Sequence, residues 1–165
     1  MYPRNDYKFL CDQMLGTLAK WLRLLGFNTS YIKSGIEDDF LLKIAKEEKR
    51  ILVTRDLELS FRAKRKNIDV IHIKKTDTES QLLKVLKDKS IKKKSIFSRC
   101  TICNTSVEKI EKEQISEDVP DRVFNNNKNF WICPKCEKIY WQGTHCDMIL
   151  KKVEKINKKL LKQNL

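Results

Sequence analysis

Two Cys-x-x-Cys pairs in the second half of the chain limit its possible folds more than any other sequence feature. The first pair is Cys100 and Cys103, and the second is Cys133 and Cys136. Each pair places two thiolates on one tight turn, so the two pairs together can supply the four ligands of a tetrahedral zinc ion. The spacing predicts a structural zinc site with no open position for catalysis. A module this small draws its folding energy from the metal.

Two further cysteines, Cys11 and Cys146, stand outside these pairs. Cys11 lies in an apolar segment and is predicted to be a small core residue. Cys146 follows His145, which leaves a second ligand pair as an alternative, although four sulfurs already fill a tetrahedral shell. Metal-type cysteine spacing favours a reducing compartment, and no segment has the length of a membrane span or the pattern of a signal peptide. We therefore expect a cytoplasmic protein that does not bind membranes.

Short apolar segments alternate with amphipathic ones through the first half of the chain. Leu15, Leu18, Leu22 and Leu25 recur at helical spacing, and Gly26 is a natural helix stop. The strands are predicted at residues 8–11, 29–32, 51–54 and 70–73, and the helices at about 13–25, from residue 38, at about 57–66 and at about 78–87. This order predicts an α/β fold in which helices flank a parallel sheet.

The second half of the chain has a different organisation. Residues 88–96 are basic and without periodicity, so they are predicted to be a linker. The tail is predicted to be a basic helix with Met148, Ile149, Val153, Ile156 and Leu160 facing inward. The chain is thus divided into an α/β domain at 1–90, a four-cysteine zinc ribbon at 97–148 and a basic C-terminal helix at 149–165.

Carboxylates follow the predicted strands. Asp12 and Asp56 come directly after two of them, Asp38 and Asp39 follow a third, and Glu58 lies just beyond Asp56. The carboxyl ends of parallel strands meet at one edge of a sheet, where ligands bind. Converging carboxylates select a hard cation, Mg²⁺ or Mn²⁺, which can promote phosphodiester cleavage. Each aspartate could instead be a helix cap or a turn residue.

The formal net charge of +13 indicates a polyanionic partner, most commonly nucleic acid. Lys92, Lys93 and Lys94 in the linker are candidate phosphate contacts. The tail adds further candidates: Lys151, Lys152, Lys155, Lys158 and Lys159. The alternative is a solvated lysine-rich surface.

Three motifs give the chain a resemblance to a known family. They are D-x-M-L-G-x-L-A-K-W-L-R from Asp12, T-R-D from Thr54, and K-I-Y-W-x-G-T-H from Lys138. Together with FSRCTICN, VPDRV and the second cysteine pair, they resemble the PIN-like ribonuclease domain named after the C-terminal region of the exonuclease mut-seven. The resemblance implies a PIN-like parallel sheet followed by a zinc ribbon, and it implies divalent-metal-dependent cleavage of RNA.

The resemblance also implies particular site residues. Asp12, Asp38 and the segment from Thr54 to Glu58 match the acidic positions of PIN-type sites, with Asp39 as an alternative to Asp38. Asp12, Asp38 and Asp56 are then catalytic, and they hold Mg²⁺ or Mn²⁺ together with Glu58. The implied RNA contacts are Lys20, Arg23 and Arg55; for the first two the alternative is a solvated helix face.

A second class of function competes with the nuclease. In it the chain is a non-catalytic RNA-binding adaptor, in which the ribbon and the lysine tail bind RNA and the acidic edge is residual. A binder tolerates Asp12→Asn and Asp56→Asn, whereas a nuclease loses turnover. The sequence leaves open the RNA substrate, endonuclease or exonuclease action, and the oligomeric state.

Overall fold

A computed structural model of the chain describes residues 7–33, 35–87, 89, 91 and 95–163. In the N-terminal part, the strands are β1 (Lys8–Cys11), β2 (Asn28–Tyr31), β3 (Ile51–Thr54) and β4 (Val70–His72), and the helices are α1 (Gly16–Leu24), α2 (Asp38–Glu47), α3 (Leu57–Arg65) and α4 (Thr78–Leu86). In the C-terminal part, the strands are β5 (Glu108–Ile110), β6 (Phe130–Ile132) and β7 (Ile139–Trp141), and the helices are α5 (Asp121–Asn126) and α6 (Thr144–Gln163).

The N-terminal strands form a parallel sheet in the order β2-β1-β3-β4. One face packs on α1, α4 and α6, around Phe9 and Val53. The other face packs on α2 and α3, around Leu10 and Leu52. Adjacent residues of β1 and β3 therefore enter opposite cores, which explains why Phe9, Leu10 and Cys11 of β1 and Ile51, Leu52 and Val53 of β3 form continuous apolar runs. The predicted α/β fold with a parallel sheet flanked by helices is confirmed.

The end of α1 shows why Gly26 stands there. Its φ is +87°, a conformation that favours glycine, and a Cβ built on it lies 2.2 Å from the carbonyl oxygen of Ser95. Ser95, just before the cysteine module, thus lies directly against the end of α1. Ile91, within the predicted linker, is also buried in the sheet core. The described part of this linker is therefore packed against the domain.

Helix α6 completes the core of the sheet. Ile149, Val153, Ile156 and Leu160 are buried in the same cluster as Phe9. Burying a side chain of this kind contributes about 1.5–3 kcal/mol. The prediction that Met148 faces inward is wrong, because its side chain is 61% exposed. Ile149, Val153, Ile156 and Leu160 recur at helical spacing, and Met148 falls beside that stripe.

The cysteine module has a small core of its own. Strands β5, β6 and β7 form an antiparallel sheet in that order. Ile115, Val119 and Phe130 are its buried apolar residues. So small a core needs a further source of stability, such as a bound metal. Among the described residues, no helix is both long and apolar enough to cross a membrane.

Candidate metal centre and acidic site

The four predicted cysteines lie together in the structure. Their ligand atoms all lie within 4.8 Å of one another. The Sγ atoms of Cys103 and Cys133 are 3.3 Å apart, and those of Cys100 and Cys136 are 3.5 Å apart. Tetrahedral zinc with bonds of about 2.3 Å separates its sulfurs by roughly 3.8 Å, so the donor set fits a zinc ion. All six cysteines are free of disulfides.

Hydrogen bonds around the cluster lower the pKa of the Cys100 and Cys103 thiols, whereas hydrogen bonds from the other cysteines help raise the pKa of the Cys136 thiol. The Tyr140 hydroxyl donates to Cys100 Sγ at 3.1 Å, and Cys103 Sγ is hydrogen-bonded to the hydroxyl oxygen of Thr105 at 3.3 Å. Burial raises the pKa of the Cys103 thiol, but hydrogen bonds from Thr105 and from the neighbouring cysteines outweigh it and lower this pKa to about 6. Hydrogen bonds of this kind orient metal ligands from outside the coordination shell.

The first cysteine turn docks on the sheet through Arg23. This residue of α1 is 6% exposed, and its guanidinium donates to the carbonyl oxygens of Thr101 at 3.0 Å and Ile102 at 2.8 Å. It also donates to the carbonyl oxygen of Thr29 at 2.8 Å. Burial lowers the pKa of this guanidinium. Arg23, which is predicted to contact phosphate, is thus buried and links α1 to the turn that carries Cys100 and Cys103.

Asn104 makes a second link at the same place. Its Oδ1 accepts from the backbone N–H of Thr29 at 2.9 Å, and its Nδ2 donates to Oδ1 of Asn28 at 2.8 Å. Asn28 and Thr29 begin β2, opposite the edge at which β1 runs into Asp12. The cysteine module therefore docks at the amino edge of the sheet, away from the acidic edge.

Asp12 is the most tightly held carboxylate of the acidic edge. It is 5% exposed and caps the 3-10 turn that follows β1. Its Oδ2 accepts from the Thr54 hydroxyl at 2.5 Å and from the backbone N–H of Arg55 at 3.1 Å. Its Oδ1 accepts from the backbone N–H of Met14 at 2.9 Å. These donors join the ends of β1 and β3 and fix the orientation of the carboxylate.

Asp56 and Asp38 enter the same region from two helices. Asp56 caps α3, with Oδ1 accepting from the backbone N–H of Leu59 at 2.9 Å. Asp38 begins α2 and pairs with Arg62 of α3 at 2.9 Å. Arg62 also pairs with Asp39 at 2.7 Å. A single guanidinium thus bridges the two adjacent aspartates.

A cavity of about 80 Å³ is lined by Asp12, Asp38 and Asp56. Neither Asp39 nor Glu58 lines it, and both are exposed. In the described part of the chain, the four cysteines are the only group of three or more potential ligands whose donor atoms converge on one point. The three aspartates face one cavity, but their oxygens do not close to the spacing of a coordination shell.

The other predicted residues are dispersed. Lys20 is exposed on α1, and Arg55 is half-buried with its carbonyl oxygen 3.2 Å from His72 Nε2. Lys92, Lys93 and Lys94 lie outside the described residues. In the tail, Lys155 and Lys159 pair with Glu79 of α4, and Lys152 lies 4.5 Å from the centre of the Trp21 ring.

The two lone cysteines differ in setting. Cys11 is fully buried in the sheet core, as predicted for a small core residue, and burial raises the pKa of its thiol. Cys146 is half-buried near the start of α6, where Sγ lies 3.5 Å from the carbonyl oxygen of Trp141. It does not belong to the converging cysteine cluster, and the side chain of His145 is outside the described part.

Arg62 and Tyr140 are the site residues that sequence reasoning did not single out. Arg62 looks like any basic residue in the last turn of a helix, and only the packing of α3 on α2 brings it to Asp38. Tyr140 could have been found, because it lies in the K-I-Y-W motif next to the second cysteine pair. Its contact with Cys100 assigns it a role in orienting a ligand.

The fold and the four-cysteine cluster define an α/β domain with an attached metal-binding module. The profile of the Mut7-C RNAse domain matches residues 7–153, and the chain belongs to this family. The family expected from the three sequence motifs is confirmed. No curated protein and no solved structure matches the chain.

Proposed function

We propose that the chain is a divalent-metal-dependent ribonuclease whose active site is the acidic cavity. The observation that carries the proposal is the cavity itself, which is lined by Asp12, Asp38 and Asp56 from three different elements of the fold. Membership in a family described as an RNAse domain supports the reaction class. The position at the carboxyl edge of a parallel sheet is the usual place for a ligand in such folds, and we infer a PIN-like domain.

The three aspartates suit Mg²⁺ or Mn²⁺, since both cations prefer carboxylate oxygens. Such an ion supplies charge neutralisation at the scissile phosphate and acidifies a bound water. Asp12 offers a rigid carboxylate because three donors fix it. Asp38 is the better ligand candidate than Asp39, since it lines the cavity. To hold a cation, Asp38 would have to release Arg62, which would keep Asp39 as its partner.

We infer that the four-cysteine cluster holds a structural zinc ion. Four sulfurs fill the tetrahedral shell, and the module contacts the sheet at the edge opposite the acidic cavity. The ribbon therefore supports the fold and offers a surface for RNA, while residues 1–90 carry the chemistry. We place the protein in the cytoplasm, because the paired Cys-x-x-Cys spacing is typical of metal binding in a reducing compartment.

The test is incubation with mixed structured and single-stranded RNAs in Mn²⁺, Mg²⁺ or EDTA, followed by mapping of the ends. The proposal expects cleavage with either cation and none in EDTA. Metal analysis of the purified protein is expected to give one zinc per chain. The matched acidic control is Asp69→Asn, since Asp69 is exposed and does not line the cavity.

A second candidate is the RNA-binding adaptor. The observation that favours it is the pairing of Asp38 with Arg62, together with aspartate oxygens that do not converge. If RNA binds but stays intact under every cation, and Asp12→Asn and Asp56→Asn leave binding unchanged, the adaptor replaces the nuclease.

A further inference from the structure

A cleft of about 640 Å³ separates the cysteine module from the α/β domain. One wall is strand β7 with the residues around it, 138–143. Lys20 and Leu24 of α1 and residues 96–98 also line the cleft. The cleft is much larger than the acidic cavity, and its volume lies in the range of ligand pockets, roughly 300–1,000 Å³.

Three aromatic residues of the cysteine module line the cleft. Trp131 and Tyr140 are cross-strand neighbours on β6 and β7, and Trp141 follows on β7. Trp141 is 37% exposed, and its ring lies against Gly143, where an added Cβ would be 3.3 Å from Nε1. The Tyr140 hydroxyl is held by Cys100 and Thr101. The backbone at Gly143 thus positions the ring of Trp141, and the cysteine turn positions the ring of Tyr140.

The charges at the cleft are positive. Among the described residues that line it, the charged ones are Lys20 and Lys138. Lys138 lies 5.6 Å from the centre of the Tyr140 ring, so cation and ring are already side by side. Aromatic faces next to lysines match a ligand with flat apolar groups on a negative backbone, which describes single-stranded nucleic acid. The charge of +13 favours such a polyanion over a peptide strand.

We propose that this cleft is a base-stacking subsite for single-stranded RNA. A nucleobase lies on Trp141, and Lys20 and Lys138 contact the flanking phosphates. The proposal deepens the ribonuclease function and rests on it only for the choice of RNA over DNA. Helix α1 has nine residues, about 13 Å of helix, and runs from near Asp12 to the cleft. The subsite therefore holds the strand at a distance from the acidic cavity.

Fluorescence anisotropy of a labelled uridine decamer, without added divalent cation, tests the subsite independently of cleavage. A decamer of the same length with abasic sugars keeps the phosphates but lacks the bases. Trp141→Leu keeps an apolar side chain but removes the stacking face, and Trp141→Phe restores one. Tyr7→Ala is the matched control, because Tyr7 is an exposed aromatic residue beside Lys89 and away from the cleft.

We expect Trp141→Leu to weaken binding of the uridine decamer about 10-fold, within the range for loss of one stacked base. Trp141→Phe and Tyr7→Ala should stay within about 2-fold of the wild type, and the abasic decamer should not distinguish the variants. Retained zinc and an unchanged circular dichroism spectrum show that Trp141→Leu is folded. The proposal is overturned if Trp141→Leu weakens the binding of both decamers equally, or if it weakens the binding of neither. In the second case an extended peptide along β7 becomes the alternative occupant. Binding without cleavage leaves the subsite intact and contradicts only the nuclease.

Discussion

The guanidinium of Arg23 on α1 donates to the carbonyl oxygen of Ile102, 2.8 Å away, inside the turn that carries Cys100 and Cys103. Arg23 is almost fully buried at this contact. Arg23 therefore connects the α/β domain to the cysteine turn, and the stability of each part depends on this contact. Removing such a group leaves buried acceptors without donors, which costs free energy.

Arg23→Met should therefore lower the free energy of unfolding by about 2–4 kcal/mol, since three carbonyl oxygens lose a charged donor. Chemical denaturation measures the loss, and Lys20→Met on the exposed face of the same helix is the control, with a change of less than about 0.5 kcal/mol. Equal stability of Arg23→Met and the wild type would show that the contact does not join the two parts.

The two central aspartates should differ in stability when they are changed to asparagine. Asp12→Asn replaces one carboxylate oxygen with an NH₂ group, which donates hydrogen bonds and does not accept them. The three groups around Asp12 are all donors, so at least one buried hydrogen bond is lost, at a cost of about 1–3 kcal/mol in the free energy of unfolding. Asp56→Asn keeps its oxygen on the backbone N–H of Leu59, and asparagine caps helices as well as aspartate does. Thermal unfolding compares the two variants. A larger loss for Asp56→Asn than for Asp12→Asn contradicts the hydrogen bonding described for Asp12.

Arg62→Gln should lower the Mn²⁺ concentration that half-maximal cleavage requires. Without the guanidinium, Asp38 no longer has to leave a cationic partner, so half-maximal cleavage should need less Mn²⁺, by several-fold. The ion pairs are partly exposed, and their loss should cost no more than about 1 kcal/mol of stability. A Mn²⁺ titration of cleavage measures the first effect, with Arg65→Gln on the same helix as control. An unchanged Mn²⁺ requirement means that Arg62 does not compete with the cation.

RNA binding should depend strongly on salt. If about five lysines neutralise phosphates, the logarithm of affinity falls with the logarithm of salt at a slope of roughly −3.5 for a single strand. Changing Lys151 and Lys158 together to Gln should reduce that slope by about 1.4. The pair Lys155 and Lys159 is the internal comparison: because both ammonium groups contact Glu79, their removal should matter less. A flat salt dependence would mean that the lysines are only solvated.

Local patterns in the sequence predicted the elements that place the acidic edge. Strands β1 and β3 have the predicted bounds, and Asp12 and Asp56 lie just beyond their ends as expected. The cysteine spacing predicted the cluster, because two Cys-x-x-Cys pairs in one chain are typical of four ligands that bind a single metal ion. Both signals are local, so periodicity and spacing can capture them.

Contacts between distant segments could not be predicted in the same way. Arg23 lies off the leucine stripe of α1 and looks like a solvated residue, yet the cysteine turn covers it. The sequence also sets the C-terminal helix apart from the α/β domain. In the structure, α6 packs its apolar stripe into the core of the sheet. Such pairings depend on the tertiary fold and leave no periodic signal.

Cleavage of RNA in the acidic cavity is the activity on which the proposed function depends. Its most direct test is the rate of cleavage of a single-stranded RNA in Mn²⁺ by the wild type and by Asp56→Asn, the variant expected to keep its helix cap. We expect Asp56→Asn to lose on the order of 10²-fold or more in rate, a size typical of removing one charge-stabilising group from an active site, and Asp69→Asn to lose nothing. Undiminished cleavage by Asp56→Asn, or by the wild type in excess EDTA, would contradict the proposed function.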